Sequence, residues 1–368
     1  MLKKRIFIIF LSLIIIIGII IVFSQNAKNA ISVIYNLATG TDINLKNSAG
    51  SINVLLLGIG GGSHEGPDLT DTIILANINQ TKNEVNLISV PRDLWIPDLS
   101  SKINAAYVEG EKYKKGILLA SKVMEKVTGQ SIKYTVVMDF SGFEKLINIM
   151  GGVDVNVQRA FDDYQYPISG KENEPCGHSQ EELPSLATAS SDLEAFPCRY
   201  EHIRFEKGQQ QMNGNTTLEF VRSRHATGDE GTDFARSQRQ HEVITSMKNK
   251  MLSLGIVFNP IKIFEIYNVL KDNINTDIKT EEMDDFIRLA QKLKNAKIVN
   301  FVLDVGDENK KTYGVLINPP ITSDYDYQWV LIPRVGNDNF TEIKDYINCI
   351  TSEDKCRVTE SAIESVNQ

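Results

Sequence analysis

Ser51-Ile52-Asn53-Val54-Leu55-Leu56-Leu57-Gly58-Ile59-Gly60-Gly61-Gly62 is a short apolar burst that empties into glycines, the pattern of a buried strand ending in a loop. Downstream, 72–78 and 84–90 read as two more strands, joined across Asn79-Gln80-Thr81-Lys82-Asn83 as a hairpin. From 105 to 127 the apolar positions Ile117, Leu118, Val123, Met124 and Val127 recur at helical spacing, and Gly129 is placed to cap the end. A strand over 134–140 follows. Ser141 is then expected to cap a short helix carrying Phe143, Leu146, Ile147 and Met150, closed by Gly151-Gly152 before a strand over 153–157. Helical periodicity returns over 209–220, 234–254, 260–270 and 281–293. Strand-like runs lie at 296–305, 314–317 and 328–333, and a last helix at 340–350. Strands alternating with helices predict an α/β fold whose sheet is covered on both faces. No internal repeat is present.

Upstream of this domain, Met1-Leu2-Lys3-Lys4-Arg5 precedes an apolar run over 6–23 broken only by Ser12 and Gly18. That length nearly spans a bilayer as a helix. The basic residues ahead of it predict a cytoplasmic tail over 1–5, one transmembrane anchor over 6–23, and everything beyond outside the cell membrane. The competing reading, a cleaved signal peptide, normally has a shorter apolar region of roughly 7–15 residues. A polar stretch over 24–50 fits a linker and 51–350 the exocytoplasmic domain. Within it 160–203 reads as a surface insertion, and 351–368 forms a C-terminal tail expected to fray after Cys356. Cys176, Cys198, Cys349 and Cys356 fall in two local pairs on the exocytoplasmic side, so Cys176–Cys198 and Cys349–Cys356 are the simplest disulfides. Neither spacing suits thiolate zinc.

The 368 residues carry 39 Lys and Arg against 47 Asp and Glu, a formal charge of −8, the wrong sign for coating nucleic acid. Any polyanion site must be a local cationic cluster. Four segments supply one. Leu69-Thr70-Asp71-Thr72-Ile73 places an acid just before a strand, where taken alone it reads equally as a turn cap. Ser89-Val90-Pro91-Arg92-Asp93 places an arginine just after one, as often a surface ion pair. Phe220-Val221-Arg222-Ser223-Arg224-His225 sets two arginines on one face if extended. Asp233-Phe234-Ala235-Arg236-Ser237-Gln238-Arg239-Gln240 opens a helix with Arg236, Arg239 and Gln240 at i, i+3 and i+4. Cations there oppose the macrodipole and call for an anion. With Lys102 as a further member, these guanidinium forks suit a pyrophosphate or phosphodiester, and Asp71 among them suits a magnesium ligand.

Other chemistries lack their motifs. The glycines after 57 have neither P-loop nor dinucleotide spacing. His64, His178, His202, His225 and His241 form no H-E-x-x-H, and no G-x-S-x-G elbow exists. His64 and His225 lie near the arginine-bearing loops.

Taken together the chain resembles the LytR-CpsA-Psr (LCP) proteins of the bacterial cell envelope. The resemblance runs through Asn53 to Gly58, Leu69 to Ile73, Ile88 to Asp93, Lys102 to Tyr107, Asp139-Phe140, Gly151-Gly152-Val153, Phe220 to Arg224 and Asp233 to Gln240, roughly 51–255. It implies an α-β-α sandwich with a mixed central sheet behind a single N-terminal anchor. It implies a transferase that moves a glycan phosphate from a polyprenyl-pyrophosphate carrier onto peptidoglycan or another wall acceptor, with Mg²⁺ as cofactor. A hydrolase of the same carrier and a non-catalytic module that holds lipid-linked glycan are the alternatives. By position Asp71 matches the magnesium aspartate, and Arg92, Arg222, Arg224 and Gln240 match pyrophosphate contacts. Lys102, Asp233, Arg236 and Arg239 also match motif positions. Two departures stand out: Gly60 and Leu69 occupy places where many members carry Asp and Arg. The apolar slot such a carrier needs is expected to be lined by Val123, Met124, Phe143, Leu146, Ile147 and Ile244. The absence of a helix-turn-helix pattern and the net acidity argue against DNA as a partner.

Overall fold

The computed structural model describes residues 35–36, 40, 42–48, 50–62, 66–179, 181–182, 192–307, 312–352, 356–360 and 363–365. The expected anchor over 6–23 lies outside them. Among the described residues no helix is long and apolar enough to cross a membrane.

In chain order the strands are β1 (Ser51–Ile59), β2 (Thr70–Asn79), β3 (Glu84–Ser89), β4 (Tyr134–Asp139), β5 (Val153–Val157), β6 (Phe161–Pro167), β7 (Tyr200–Phe205), β8 (Gly208–Met212), β9 (Ile274–Thr276) and β10 (Lys297–Val302), with β11 (Cys356–Val358) and β12 (Ile363–Ser365) at the end. The principal helices are α1 (Ala106–Glu111), α2 (Gly116–Thr128), α3 (Phe140–Ile149), α4 (Gly214–Arg222), α5 (Asp233–Ser253), α6 (Pro260–Leu270), α7 (Met283–Lys292) and α8 (Thr341–Ser352). Six strands form one mixed sheet in the order β9-β4-β1-β2-β3-β10. β1 runs parallel to β4 and β3 parallel to β10, whereas β2 is antiparallel to both of its neighbours.

Alternation along the strands divides the apolar residues between two faces. Leu55, Leu57, Ile73, Leu75 and Ile88 pack with Val123, Met124, Val127 and Ile347 on one side. Ile52, Val54, Ile74, Ala76 and Leu87 pack with Leu45, Leu289 and Leu293 on the other. A second core joins Ile147, Val155, Phe161, Phe205, Met212, Phe220 and Val243 where the β5–β8 region meets α3, α4 and α5.

The local differences from expectation have physical causes. The 105–127 helix is interrupted at exposed lysines, with Lys114 at φ 57°, so α1 and α2 are separate; Gly129 caps α2 at φ 69° as expected. Asp139, not Ser141, caps α3 by accepting the Gly142 amide at 2.7 Å. The stretch 209–220 splits because Gln209-Gln210-Gln211 pairs with β5 as a strand, and Asn213 then caps α4 through the Thr216 amide. The insertion begins and ends as the paired ribbon β6–β7 and is closed by Cys176–Cys198. The described part of the tail, expected to fray after Cys356, instead pairs β11 with β12 and is fastened by Cys349–Cys356 and by Arg334 donating to the Thr359 carbonyl at 2.7 Å. Val315, Leu316, Leu331, Phe340 and Ile343 complete the main core from the C-terminal third.

His241 locks α5 to the sheet. It is fully buried, with Nε2 at 2.9 Å from the Ser89 hydroxyl at the end of β3. Burial pushes its pKa down to about 4. The unfolded chain, near 6.5, therefore binds a proton the folded chain refuses, so this contribution is complete above about pH 6.5 and is lost as pH falls toward 4. Urea unfolding across this range should show His241 removing up to about 3 kcal/mol of stability. His241→Leu should flatten that part of the profile.

Candidate active site

The mixed topology brings β1, β3 and β4 to one sheet edge at their carboxyl ends, and the reversed β2 begins there. Ligands in open α/β sheets favour that edge. A cavity of about 770 Å³ opens at it, its mouth formed by Gly58, Gly60, Asp71, Thr72, Arg92 and Asp139 from the sheet side. Arg222, Arg224, Arg236 and Gln240 face them from α4, the segment after it, and α5. Deeper, the lining turns apolar, with Leu56, Ile74 and Val136 of the sheet opposite Phe143, Leu146, Ile244 and Met247. Three expected slot residues, Phe143, Leu146 and Ile244, do line it. The other three do not, because Val123 and Met124 pack beneath the opposite sheet face and Ile147 belongs to the second core.

Each mouth residue is held differently. Arg92 Nη1 donates to Asp71 Oδ1, and its Nε lies 3.4 Å from Asp93 Oδ2. Asp93 is buried and also receives Lys102 Nζ at 2.6 Å. Lys102, expected as a pyrophosphate contact, is thus outside the cavity lining and supports Arg92 through a shared carboxylate. The Arg222 guanidinium lies 4.2 Å over the Phe140 ring and donates to the Tyr166 hydroxyl at 3.2 Å. Burial pushes that phenol up to about 12, against the pull of Arg222, so it stays neutral and able to accept. Gln240 Nε2 donates to Thr72 Oγ1 at 3.0 Å, joining the two walls.

Arg222 and Arg224 share the cavity because the chain leaves α4 at Ser223. That buried hydroxyl donates to Asp163 Oδ2 at 2.7 Å, and the His225 amide donates to the same oxygen at 3.2 Å. Arg236 and Gln240, one turn apart on α5, reach the cavity; Arg239, about 100° round the helix from Gln240, points into the second core. Its Nε donates to the Phe220 carbonyl at 2.8 Å, Nη2 to the Ser223 carbonyl at 2.6 Å, and Nη1 to the Glu230 carbonyl and carboxylate at 2.8 and 3.0 Å. Arg239 is therefore a buried fastening, not a ligand contact as expected.

Asp139 and Phe140, which enter the family resemblance with no site role, line the cavity, as do Asp163 and Tyr166, which no sequence pattern singles out. The pairing Ile59↔Asp139 sets Asp139 beside the glycine loop, so close that a Cβ on Gly61 would come within 2.8 Å of it. Only pairing of β1 with β4, invisible without the sheet order, signals that neighbour. His225 lines the cavity, whereas His64 lies outside the described residues.

The cavity thus joins a cationic mouth at the sheet edge to an apolar bore between sheet and helices. The profile of the LytR_cpsA_psr family matches residues 19–320, and the chain belongs to that family. It is 26% identical over 293 residues to the Bacillus subtilis polyisoprenyl-teichoic acid–peptidoglycan teichoic acid transferase TagV, covering 76% of this chain and 65% of that protein. The Bacillus cereus transferase TagU is 24% identical over 270 residues, 72% of each chain. The chain thus spans about 65% of the length of its TagV relative. A solved Streptococcus agalactiae protein matches with a TM-score of 0.55 at 22% identity, covering 84% of this chain and 89% of that one, and shows the same fold.

Removing a partner from a buried charge pair leaves the other uncompensated. Arg239→Met should therefore lower the unfolding free energy by about 3–5 kcal/mol in urea titration. Arg224→Met, at the exposed mouth, should change it by no more than about 0.5 kcal/mol.

Proposed function

We propose that this chain is a membrane-anchored glycopolymer phosphotransferase, which takes a glycan phosphate from a polyprenyl-pyrophosphate carrier and joins it to peptidoglycan or another wall acceptor. One observation carries the proposal: the arginine mouth and the apolar bore belong to a single continuous cavity. The bore suits an isoprenoid chain, which gains by leaving water. The mouth suits a pyrophosphate, which guanidinium groups grip through paired donors. The transferase names of the TagV and TagU relatives agree with this assignment. The anchor over 6–23 would hold the domain at the outer face of the cell membrane, beside its lipid substrate.

The chemistry is a displacement at phosphorus. An acceptor sugar hydroxyl attacks the glycan-bearing phosphorus, the bond from that phosphorus to the bridging oxygen breaks, the hydroxyl proton passes to solvent, and polyprenyl phosphate departs. Because such transition states spread charge over the phosphoryl oxygens, positioned cations supply most of the catalysis. Arg222 and Arg224 approach from one wall and Arg92 from the other, while Arg236 and Gln240 close the α5 side.

The residues present fit a magnesium ion. Among the described residues no group of three or more His, Cys, Asp or Glu forms a preassembled cage. Mg²⁺ needs none, since it is commonly held by one or two carboxylates with substrate phosphates and water. Asp71, half-exposed at the mouth, has Oδ1 on Arg92 and no described partner at Oδ2. Asp71, with Asp139 across the glycine loop, would hold the ion. When bound it would neutralise charge on the pyrophosphate oxygens.

Full-length protein purified in detergent should carry a polyprenyl phosphate or pyrophosphate detectable by mass spectrometry of extracted lipid. Arg92→Ala and Arg222→Ala should lose it, and Ile244→Trp, which fills the bore, should lose it with the mouth intact. With a polyprenyl-pyrophosphate glycan and acceptor, Arg222→Ala should slow release of polyprenyl phosphate about 10²–10³-fold, and EDTA should stop it. A parent protein that neither carries nor acquires such lipid would remove the substrate from this assignment.

A further inference from the structure

A second cavity, of about 360 Å³, lies on the other side of α5 from the first. Phe234 and Gln238 line it, whereas Arg236 and Gln240 line the main cavity. Positions two apart on a helix face roughly opposite ways, so the first two turns of α5 form a common wall about 10 Å thick. Its second wall is the sheet-edge strand β10, through Asn300 and Val302, with Asp304 just beyond. β10 runs parallel to β3, with Val302 opposite Ser89. Asp304 therefore follows the carboxyl end of its strand as Arg92 follows β3, and both cavities open at the same sheet edge. A third wall comes from Tyr313, Tyr346 and Cys356, the last tied to α8 by Cys349–Cys356.

The chemistry of this cavity differs from that of the arginine mouth. Phe234 is 47% and Tyr313 45% exposed, so each offers a ring to a ligand. The Gln238 and Asn300 side-chain amides have no hydrogen-bond partner among the described residues, and the Asp304 carboxyl takes only the Gly306 amide, on Oδ1. Among the described lining residues one carboxyl, Asp304, and Arg357 roughly balance in charge, which suits a neutral ligand better than an anion. Rings flanked by amides and a carboxyl match the apolar C–H faces and the rim of hydroxyls that a pyranose presents. The volume lies at the small end of ligand sites, roughly 300–1,000 Å³.

The geometry points to a saccharide subsite here, holding a neutral pyranose unit of the acceptor glycan while a neighbouring hydroxyl is presented across the N-terminal turns of α5. This inference rests on the transferase assignment for the identity of the glycan as acceptor, but binding itself is measurable without transfer. A peptide ligand is the competing occupant, and the experiment separates the two.

Full-length protein in detergent is titrated calorimetrically with un-cross-linked peptidoglycan glycan strands stripped of their stem peptides, and separately with free stem peptide. Peptide-free strands should bind, and Phe234→Ala and Tyr313→Ala should each weaken binding about tenfold, a stacking loss of about 1.4 kcal/mol. Both variants should keep the parent's melting temperature and co-purified lipid. Tyr313→Leu, which keeps bulk but loses the ring, provides a second test at the same wall. Unchanged glycan affinity in all three variants, or binding of the stem peptide alone, would overturn the subsite while leaving the lipid result standing. Ring-dependent glycan binding by a protein that takes up no polyprenyl lipid would instead support the subsite and refute the transferase assignment.

Discussion

The site depends on one buried guanidinium. Taking a charged group out of water is tolerable only when its donors are satisfied, and Arg239 meets that demand with the Phe220 and Ser223 carbonyls and with Glu230. Those partners lie on α4, on the turn after it and on the loop before α5. Satisfying Arg239 therefore fixes the angle at which the chain leaves α4, and that angle directs Arg222 and Arg224 into the cavity. The same helix carries Arg236 and Gln240 one turn apart and is pinned to the sheet by His241 on Ser89. A residue that touches no ligand in this arrangement determines the spacing of those that do.

The cavity owes its gradient of polarity to the layers that enclose it. Strand ends meet loops at the sheet edge, where backbone geometry is irregular and charged side chains reach water; the middle of the same strands offers only alternating aliphatic residues. Leu56, Ile74 and Val136 lie below Gly58, Thr72 and Met138 on their own strands. A ligand entering at the edge thus passes from guanidinium to hydrocarbon within a few residues of strand. The cationic start of α5, unfavourable against the helix dipole, becomes favourable once an anion occupies the mouth.

Much of this was legible in the sequence. The apolar alternation of β1, β2 and β3, the α6 boundaries and the two disulfide pairs follow from local pattern, and Asp71, Arg92, Arg222, Arg224, Arg236 and Gln240 do line one cavity. What was not legible depends on contacts distant in sequence. Arg239 and Lys102 look like members of the same cationic set until Glu230 and Asp93 are seen to engage them. Gln209-Gln210-Gln211 has good helix propensity, but pairing with Val153–Val157 overrides it. Tyr166 and Asp163 sit in a stretch that reads as surface insertion because its polar composition hides a strand whose inner face is buried.

Gly60 and Leu69 are the places where the mouth departs from the family pattern. The resemblance to LCP proteins leads one to expect an acid after β1 and an arginine at position 69. This chain has neither, and the loss of one negative and one positive charge leaves the balance of the mouth unaltered. Leu69 instead packs against Gly66, closing the loop with hydrocarbon, as its Cδ1 lies 2.7 Å from where a Cβ on Gly66 would be. Asp139 stands on the neighbouring parallel strand, paired with Ile59 and beside Gly61, the residue after Gly60. The Asp139 carboxylate is firmly held, since the Gly142 amide and Asn273 both donate to it. Matching position by position marks Asp139-Phe140 as a shared segment and Gly60 as a departure, but only the parallel pairing of the two strands shows that these places are neighbours.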